Sequence, residues 1–257
     1  MATVNNNTPT LRFPEFKGEW ELKKLSTLLE FKNGINATKE QYGSGYKFIN
    51  VLDILNNDFI THDNIIGSVN VDKIMVDKFP VNYGDILFQR SSETREEVGT
   101  DCVYLNKSKT ATFDGFVIRR RKIAEYEPIF LNKLLKTDIA RDEITSRSGG
   151  STRFNVGQET LSSIHLNLPT LPEQQKIATF LTTVDEKLQA LKQKKSLLEQ
   201  YKKGVMQQIF SQELRFKDDN GNEFPDWEQK TLREVADKKS SNISANKIEE
   251  NFGEYTI

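Results

Sequence analysis

Apolar residues follow two different patterns along the chain, which change near residue 168. Between Trp20 and about Leu168, they come in short runs rich in Ile, Val, Phe and Tyr, separated by Gly, Asn and Asp. Such runs are typical of strands joined by turns. The runs that predict strands are YKFINVLDI, GDILFQ, DCVYLN and ATFDGFVIRRR.

Two stretches of this first part predict helices instead. EPIFLNKLLKTDIARDEI begins at Glu127 and Pro128 and spaces its apolar residues along one helical face. A shorter helix is predicted over KKLSTLLEFKNG, ending at Asn33 and Gly34, where a left-handed cap is easily formed. We therefore predict an α+β domain, a globular unit with helices on a mixed, mainly antiparallel sheet. The apolar face of the longer helix is Leu131, Leu134, Leu135, Ile139 and Ile144.

From Glu173 to Phe210 the apolar residues follow a heptad repeat. The stretch contains no Pro and one Gly, and Lys195 and Lys202 occupy two positions of the apolar seam. A helix of this length would extend about 57 Å, more than one small domain covers, so we expect part of the stripe to pair with another helix. The alternative is a helix that leaves its own domain halfway. The predicted pairing residues are Ile177, Leu181, Val184, Leu188, Leu191, Leu198, Val205 and Ile209.

One phrase occurs twice in the chain. LRFPEFKGEWELKKL, residues 11–25, returns as LRFKDDNGNEFPDWEQKTL, residues 214–232, after the predicted long helix. An internal repeat of this kind indicates that a structural unit begins a second time.

Length, charge and cysteine content limit the classes of protein to which this chain can belong. The 257 residues, 36% hydrophobic and 28% charged, suffice for one core of domain size and a smaller appendage. With 36 Lys and Arg against 37 Asp and Glu, the net charge is -1, so a nucleic-acid site would have to be a local patch. Cys102 is the only cysteine, which excludes intrachain disulfides and fits a reducing compartment. No apolar run reaches the roughly 20 residues of a membrane span, and the N-terminus lacks a signal-peptide core, so we expect a cytoplasmic protein without membrane contact.

The sequence offers little for catalysis. His62 and His165 are too few for a His-rich metal site, and with Cys102 they make an unsupported thiol and base pair. The glycines of YGSGYK have the wrong spacing for a phosphate loop. Glu-x-Lys occurs near the N-terminus, but no Asp precedes Asp53, so the usual nuclease partner is missing. We expect no catalytic residue and no metal site in this chain.

Two segments concentrate the donors that hydrogen-bond base edges and phosphates. FQRSSETREEVGT follows a predicted strand, and TSRSGGSTRFNVG surrounds a glycine pair that lets a partner approach the backbone closely. The basic run RRRK, residues 119–122, is either a phosphate contact or a solvated strand end. The alternative for both segments is a polar surface loop, since three glutamates dilute the first. The candidate DNA-binding residues are Gln89, Arg90, Ser91, Ser92, Thr94, Arg95, Arg120, Ser146, Arg147, Ser148, Thr152, Arg153 and Asn155, of which Arg90, Arg95, Arg147 and Arg153 are expected to make direct contacts.

The ordered set of motifs resembles the specificity subunit of type I restriction-modification systems. The motifs are FPEF with a following Trp and KL, then YKFINVLDI, GDILF, SGGSTRFNVGQETLSSIHLNLPTLPEQQKIATFL, the heptad helix, and the restart FPDWEQKTL. The resemblance covers essentially the whole chain. NLPTLPEQQKIATFL, a strand end leading through two prolines into a long helix, is the most specific element.

The resemblance implies a non-catalytic subunit that reads double-stranded DNA. It implies a target-recognition domain at 1–168, a spacer helix at 169–211 and the start of a second recognition domain at 212–257. In this family each recognition domain reads one half of a bipartite site, and the two long helices pack antiparallel. Modification subunits bring S-adenosylmethionine and methylate adenine, whereas restriction subunits use ATP and Mg²⁺ to translocate and cleave DNA. This chain is expected to bind no cofactor itself.

The chain departs from the family pattern after residue 213. Residues 214–257 are too few for a second recognition domain. Either the sequence is a shortened form, or the protein works as a half-subunit whose long helices pair antiparallel in a homodimer on a palindromic bipartite site. A coiled-coil scaffold without DNA readout is the alternative function.

Overall fold

The computed structural model of the chain describes residues 9–239. Contacts divide the chain into two compact units, Met1–Gln189 and Ala190–Ile257. Among the described residues, no helix is both long and apolar enough to cross a membrane.

The first unit is built on small, mainly antiparallel sheets. A four-stranded sheet has the order β2-β9-β5-β7, a three-stranded sheet has the order β4-β3-β8, and β1-β11 and β6-β10 form two-stranded sheets. The β3-β8 pair is parallel, and the other strand pairs are antiparallel. The mixed, mainly antiparallel sheet predicted from the sequence is therefore confirmed. The strands are β1 (Glu21–Lys24), β2 (Leu29–Asn33), β3 (Tyr42–Ile49), β4 (Ser68–Val69), β5 (Ile86–Gln89), β6 (Ser91–Ser92), β7 (Asp101–Val103), β8 (Thr112–Phe113), β9 (Val117–Lys122), β10 (Phe154–Asn155) and β11 (His165–Leu168).

Helices cover the first unit and continue from it. Side chains on β5 alternate between two apolar cores, with Ile86 and Phe88 in one core and Leu87 in the other. Leu131 and Ile144 complete the first of these cores from two helices. The helices are α1 (Val51–Leu55), α2 (Lys73–Lys78), α3 (Pro128–Leu135), α4 (Asp138–Thr145), α5 (Gln158–Ser162), α6 (Leu171–Phe210) and α7 (Leu232–Val235).

The prediction of a helix over KKLSTLLEFKNG is wrong. The segment instead forms β1, a 3₁₀ turn at Leu25–Thr27, and β2. Leu25, Leu28 and Leu29 are buried, a spacing that fits a helix as well as this turn. Pairing of β2 with β9 decides the outcome, because long-range strand pairing overrides weak local propensity.

Two further predicted elements are shorter than expected. The strand in YKFINVLDI ends at Ile49, because Asn50 forms a capping box with Asp53 and starts α1. The helix predicted from Glu127 divides into α3 and α4, since the Thr137 hydroxyl donates to the carbonyl of Leu134. Ile139, assigned to the apolar face, is 83% exposed.

Helix α6 begins with two buried side chains of the PEQQ motif. The Glu173 carboxylate accepts from Arg12 Nε at 2.7 Å and Nη2 at 2.6 Å, and from Trp20 Nε1 at 3.3 Å. The Gln174 side chain accepts from the backbone of Glu127 and donates to the carbonyl of Pro169. Both residues thus fix the helix start to the domain.

The predicted long helix is confirmed from Leu171 to Phe210. Its apolar stripe stays largely open, because every residue from 190 to 203 is exposed. Pairing through this stripe remains a prediction. Val184, Leu188, Leu191 and Leu198 are exposed, whereas Ile177, Leu181, Val205 and Ile209 are half-buried.

The second unit contains the second copy of the repeated phrase, residues 214–232. A turn at residues 218–222 is closed by a bridge between Lys217 and Glu223, and Trp227 packs edge-on against Phe210 with ring centroids 6.0 Å apart. Of the predicted second recognition domain at 212–257, residues 240–257 lie outside the described part.

Candidate nucleic-acid interface

The two donor-rich segments lie together on the first unit. β6 and β10 pair with the register Phe154↔Ser92 and Asn155↔Ser91. The Arg90 carbonyl accepts from Val156 N at 3.0 Å, and the Arg90 N–H donates to the carbonyl of Phe116 at 2.9 Å. We call this surface, residues 90–95, 116 and 146–155, the Arg90 platform.

Arg90 and Arg153 are exposed arginines of the platform without a close carboxylate partner among the described residues. Arg90 is exposed, and within residues 9–239 it takes part in no ion pair. The Arg153 side chain is 61% exposed, and its nearest carboxylate oxygen, on the exposed Glu93, is 3.8 Å away. Such an exposed ion pair contributes little to stability, so the Arg153 guanidinium can leave Glu93 and bind a phosphate or a base edge.

Arg95 and Arg147 are exposed but already have partners. Arg95 donates from Nε to the carbonyl of Thr145 at 3.0 Å and from Nη2 to the carbonyl of Ser146 at 3.3 Å. Arg147 pairs with Glu143 and donates to the Ser163 hydroxyl. Each guanidinium has five N–H donors, so Arg95 and Arg147 can keep these contacts with the loop and still donate to a ligand.

Two predicted contacts lie inside the loop rather than on its surface. Gln89 is buried and donates to the carbonyl of Ser91, and the buried Ser92 hydroxyl donates to the Glu97 carboxylate at 3.0 Å. These two side chains hold the loop, and their assignment as DNA contacts is corrected. Among the other polar candidates, Ser91 and Ser148 are half-buried, and Thr94, Ser146, Thr152 and Asn155 are exposed.

The assignment of Arg120 as a DNA contact is also corrected, because Arg120 is fully buried. β9 is paired on both edges, with β2 and β5, and its first four residues are all buried, so both faces of the sheet are covered there. The Arg120 guanidinium lies 4.4 Å from the ring centroids of both Phe31 and Phe88, and burial lowers its pKa to about 9. The RRRK run therefore offers no phosphate contact at Arg120.

The glycine pair shapes the backbone of the platform. Gly149 and Asn155 exchange two backbone hydrogen bonds, which close a tight loop. Gly150 has φ +116°, and a Cβ there would lie 2.1 Å from the carbonyl of Arg153. The close approach that the sequence suggested is thus made by the chain's own backbone.

Arg141 on α4 was not recognised from the sequence. Its Nη1 donates to the carbonyl of Gly99 at 2.8 Å, and its Nη2 donates to the carbonyls of Glu96 and Val98, each at 2.7 Å. Burial lowers the pKa of Arg141. This side chain connects α4 to the loop at residues 96–99. In the sequence it looks like an ordinary solvent-exposed helix residue.

Phe116 was also missed. It lies at the tip of the turn between β8 and β9, directly against Arg90, and is 60% exposed. The Asp-Gly pair before it is a turn signal that could have placed it at a surface.

The side chains of the platform are those of a binding surface. It presents guanidinium, hydroxyl and amide donors on a rigid backbone, the groups that recognise phosphates and base edges. In the part of the chain that the structure describes, no cluster of three or more His, Cys, Asp or Glu side chains could hold a metal ion.

The fold thus defines a class: an α+β domain with a donor-rich surface, continued by a long helix. Residues 17–200 match the family described as the type I restriction modification DNA specificity domain, and the chain belongs to this family. That family comprises specificity subunits, a non-catalytic class.

Individual relatives agree with this family. The chain is 26% identical over 234 residues to the type I restriction enzyme MjaIX specificity subunit of Methanocaldococcus jannaschii, an alignment that covers 84% of this chain and 51% of the relative. The chain therefore spans about half the length of the curated relatives it matches.

Two solved structures share the fold. One is a chain from a study of complex assembly and conformational transition of the type I R-M system, with TM-score 0.54, 18% identity, and coverage of 79% of this chain and 47% of that one. The other is the type I restriction-modification S subunit from M. genitalium, with TM-score 0.51, 17% identity, and coverage of 79% and 49%.

Proposed function

We propose that this chain reads one half of a bipartite DNA target for a type I restriction-modification complex. The observation that carries the proposal is the Arg90 platform, where two donor-rich segments far apart in sequence are hydrogen-bonded into one exposed surface. Duplex DNA needs such a surface, because phosphate contacts position a protein and base-edge contacts select the sequence.

The chemistry of the complex is proposed to reside in other subunits. Modification subunits that bind S-adenosylmethionine would methylate adenine N6, and restriction subunits would use ATP and Mg²⁺ to move and cleave DNA, all in the cytoplasm. This chain would supply the recognition domain at 1–168, the spacer helix at 169–211 and the beginning of a second recognition domain at 212–257.

The long helix supports a second part of the proposal, namely antiparallel pairing. The stripe from Val184 to Leu198 is exposed over a length that a coiled-coil partner would cover. Because the chain spans half of its relatives, two copies paired through α6 would restore two recognition domains and read a palindromic bipartite site. Monomeric sedimentation at micromolar concentration, with modification subunit and DNA present, would count against this dimer.

The test combines methylation sequencing with binding measurements. Sequencing DNA from cells that carry this chain and a modification subunit is expected to show one methylated bipartite motif. Arg90→Ala should then weaken binding of the complex to that motif by about 1 to 3 kcal/mol and relax selectivity at one base pair.

The matched control is Lys24→Ala, which removes an exposed positive charge from β1, in a separate sheet. It should leave affinity and selectivity unchanged. If Arg90→Ala weakens binding equally on all sequences, Arg90 contacts phosphate instead. If the complex shows no salt-dependent DNA binding at all, the coiled-coil scaffold replaces the proposal.

A further inference from the structure

We propose that Phe116 is a specificity-determining residue that contacts the 5-methyl group of one thymine in the major groove. This inference rests on the proposed function and deepens it. It assigns a base-reading role to an apolar side chain that the donor-based analysis of the sequence did not consider.

Phe116 and Arg90 are held side by side by the backbone. β5 and β9 pair antiparallel up to Gln89↔Val117, and the bond from Arg90 N to the Phe116 carbonyl continues this pairing by one step. Directly opposed residues of an antiparallel pair project to the same face, with Cβ atoms about 5 Å apart. A ligand that reaches the Arg90 guanidinium therefore also meets the Phe116 ring.

The turn that carries Phe116 is fixed by one buried carboxylate. Asp114 Oδ1 accepts from Phe116 N at 2.8 Å, and Oδ2 accepts from the Tyr42 hydroxyl at 2.7 Å. The Tyr42 ring packs edge-on against Phe48 at 5.7 Å. Burial raises the pKa of Tyr42 to about 12, so the phenol remains a hydrogen-bond donor near neutral pH.

Close backbone packing supports the same turn from below. A Cβ on Gly34 would lie 2.2 Å from the carbonyl oxygen of Asp114, so the two backbones are in direct contact. The Gly115 N–H donates to the carbonyl of Ile35. Because the turn is already ordered, presenting a large apolar ring to a ligand costs little additional entropy.

The chemistry of the major groove selects the ligand group. Arg90 matches guanine acceptors or a phosphate, but a Phe ring needs an apolar partner. The thymine 5-methyl group is the apolar group that the base edges present in this groove, and Phe is among the side chains that contact it. The pair of side chains thus fits adjacent G·C and A·T base pairs.

The experiment removes the methyl group and leaves every hydrogen-bonding group of the base in place. Once the methylated motif is known, each thymine in the half-site is replaced by uracil in turn, and the dissociation constant of the complex with its modification subunits is measured. Uracil at one position is expected to weaken binding of the wild-type complex about fourfold, the effect of one buried methyl-sized group.

Variants then assign that loss to Phe116. Phe116→Ala should bind the thymine and uracil duplexes equally, whereas Phe116→Leu, which keeps an apolar side chain, should retain discrimination. The matched control is Ile123→Ala, because Ile123 is 58% exposed and follows the opposite end of β9. It should discriminate like the wild type.

Two results would overturn the inference: uracil tolerated at every position by the wild type, or discrimination retained by Phe116→Ala. Uracil tolerance combined with strong kinking of the DNA would show that the ring acts as a wedge between base steps instead. If motif-selective binding persists in any of these cases, the inference alone fails. If the complex has no motif-selective binding, the proposed function fails and the inference falls with it.

Discussion

The two copies of the repeated phrase are similar in sequence but contact different parts of the protein. In the first copy, Arg12 and Trp20 both bind the buried Glu173 at the start of α6, and Phe13 packs edge-on against Phe180 at 6.0 Å. β1, at the end of this copy, pairs with β11. The first copy is therefore integrated into the domain through the Glu173 carboxylate, aromatic contacts and strand pairing.

In the second copy, Arg215 stands where Arg12 stands in the first. Its guanidinium instead binds Asp226 at 2.7 Å and the carbonyls of Phe224 and Pro225, all within the same phrase. Trp227, the counterpart of Trp20, is 52% exposed, and the described residues 228–231 pair with no strand. The same phrase thus packs on the domain in its first copy and makes contacts mainly within itself in its second copy.

The largest expected difference between the copies concerns their ion pairs. Glu173→Ala removes two charge-assisted hydrogen bonds from Arg12 at a buried position and should raise the unfolding equilibrium constant about 100-fold. Asp226→Ala, the matched change at the Arg215 pair, removes a carboxylate that is 94% exposed and should change this constant by less than about twofold. Urea unfolding followed by circular dichroism measures both. Equal losses would show that the two copies are energetically equivalent.

The aromatic residues should show a smaller difference in the same direction. Phe13→Ala loses the contact with Phe180 and should lower the free energy of unfolding by about 1 to 2 kcal/mol. Phe216→Ala, at the matching position, removes an exposed ring and should stay within about 0.5 kcal/mol. A larger loss at Phe216 than at Phe13 would reverse the comparison.

The smallest expected effect is a response of the second copy to acid. Asn222 holds the pKa of Asp218 below its ordinary value, and Lys217 does the same for the pKa of Glu223. A lowered pKa means that the stabilisation is present above the ordinary values, 3.8 for Asp and 4.5 for Glu, and is lost as the pH falls below them.

Fluorescence of Trp227 in a Trp20→Phe background measures this response. Its emission should shift reversibly to the red on acidification through that range. The combined Asp218→Asn and Glu223→Gln variant should remove the pH dependence, and an unchanged response in that variant would assign it to other groups.

The regular parts of the fold were predictable from the sequence because their signals are local. The heptad spacing identified α6, and Ile, Val and Phe runs identified β5, β7 and β9. The segment from Lys23 to Gly34 was not predictable, since its apolar spacing satisfies a helix and a turn between strands equally well. Only the pairing of β2 with β9 distinguishes the two.

The candidate site was predictable as segments and not as an arrangement. The donors of both loops were visible, but their pairing through β6 and β10 is a long-range contact. Arg120 was misassigned because a basic run does not reveal that β9 is covered on both faces. Arg141 and Asp114 were missed because the groups they bind, the Gly99 carbonyl and the Tyr42 hydroxyl, are distant in sequence.

The backbone position of Arg90 has a consequence for substitutions of its side chain. Its N–H binds the Phe116 carbonyl and its carbonyl binds Val156 N, and neither bond involves the side chain. Replacing the side chain at this position should therefore leave the connection between the sheets intact. Substitutions that keep the backbone N–H at this position are therefore expected to change the exposed surface of the platform without disturbing the fold.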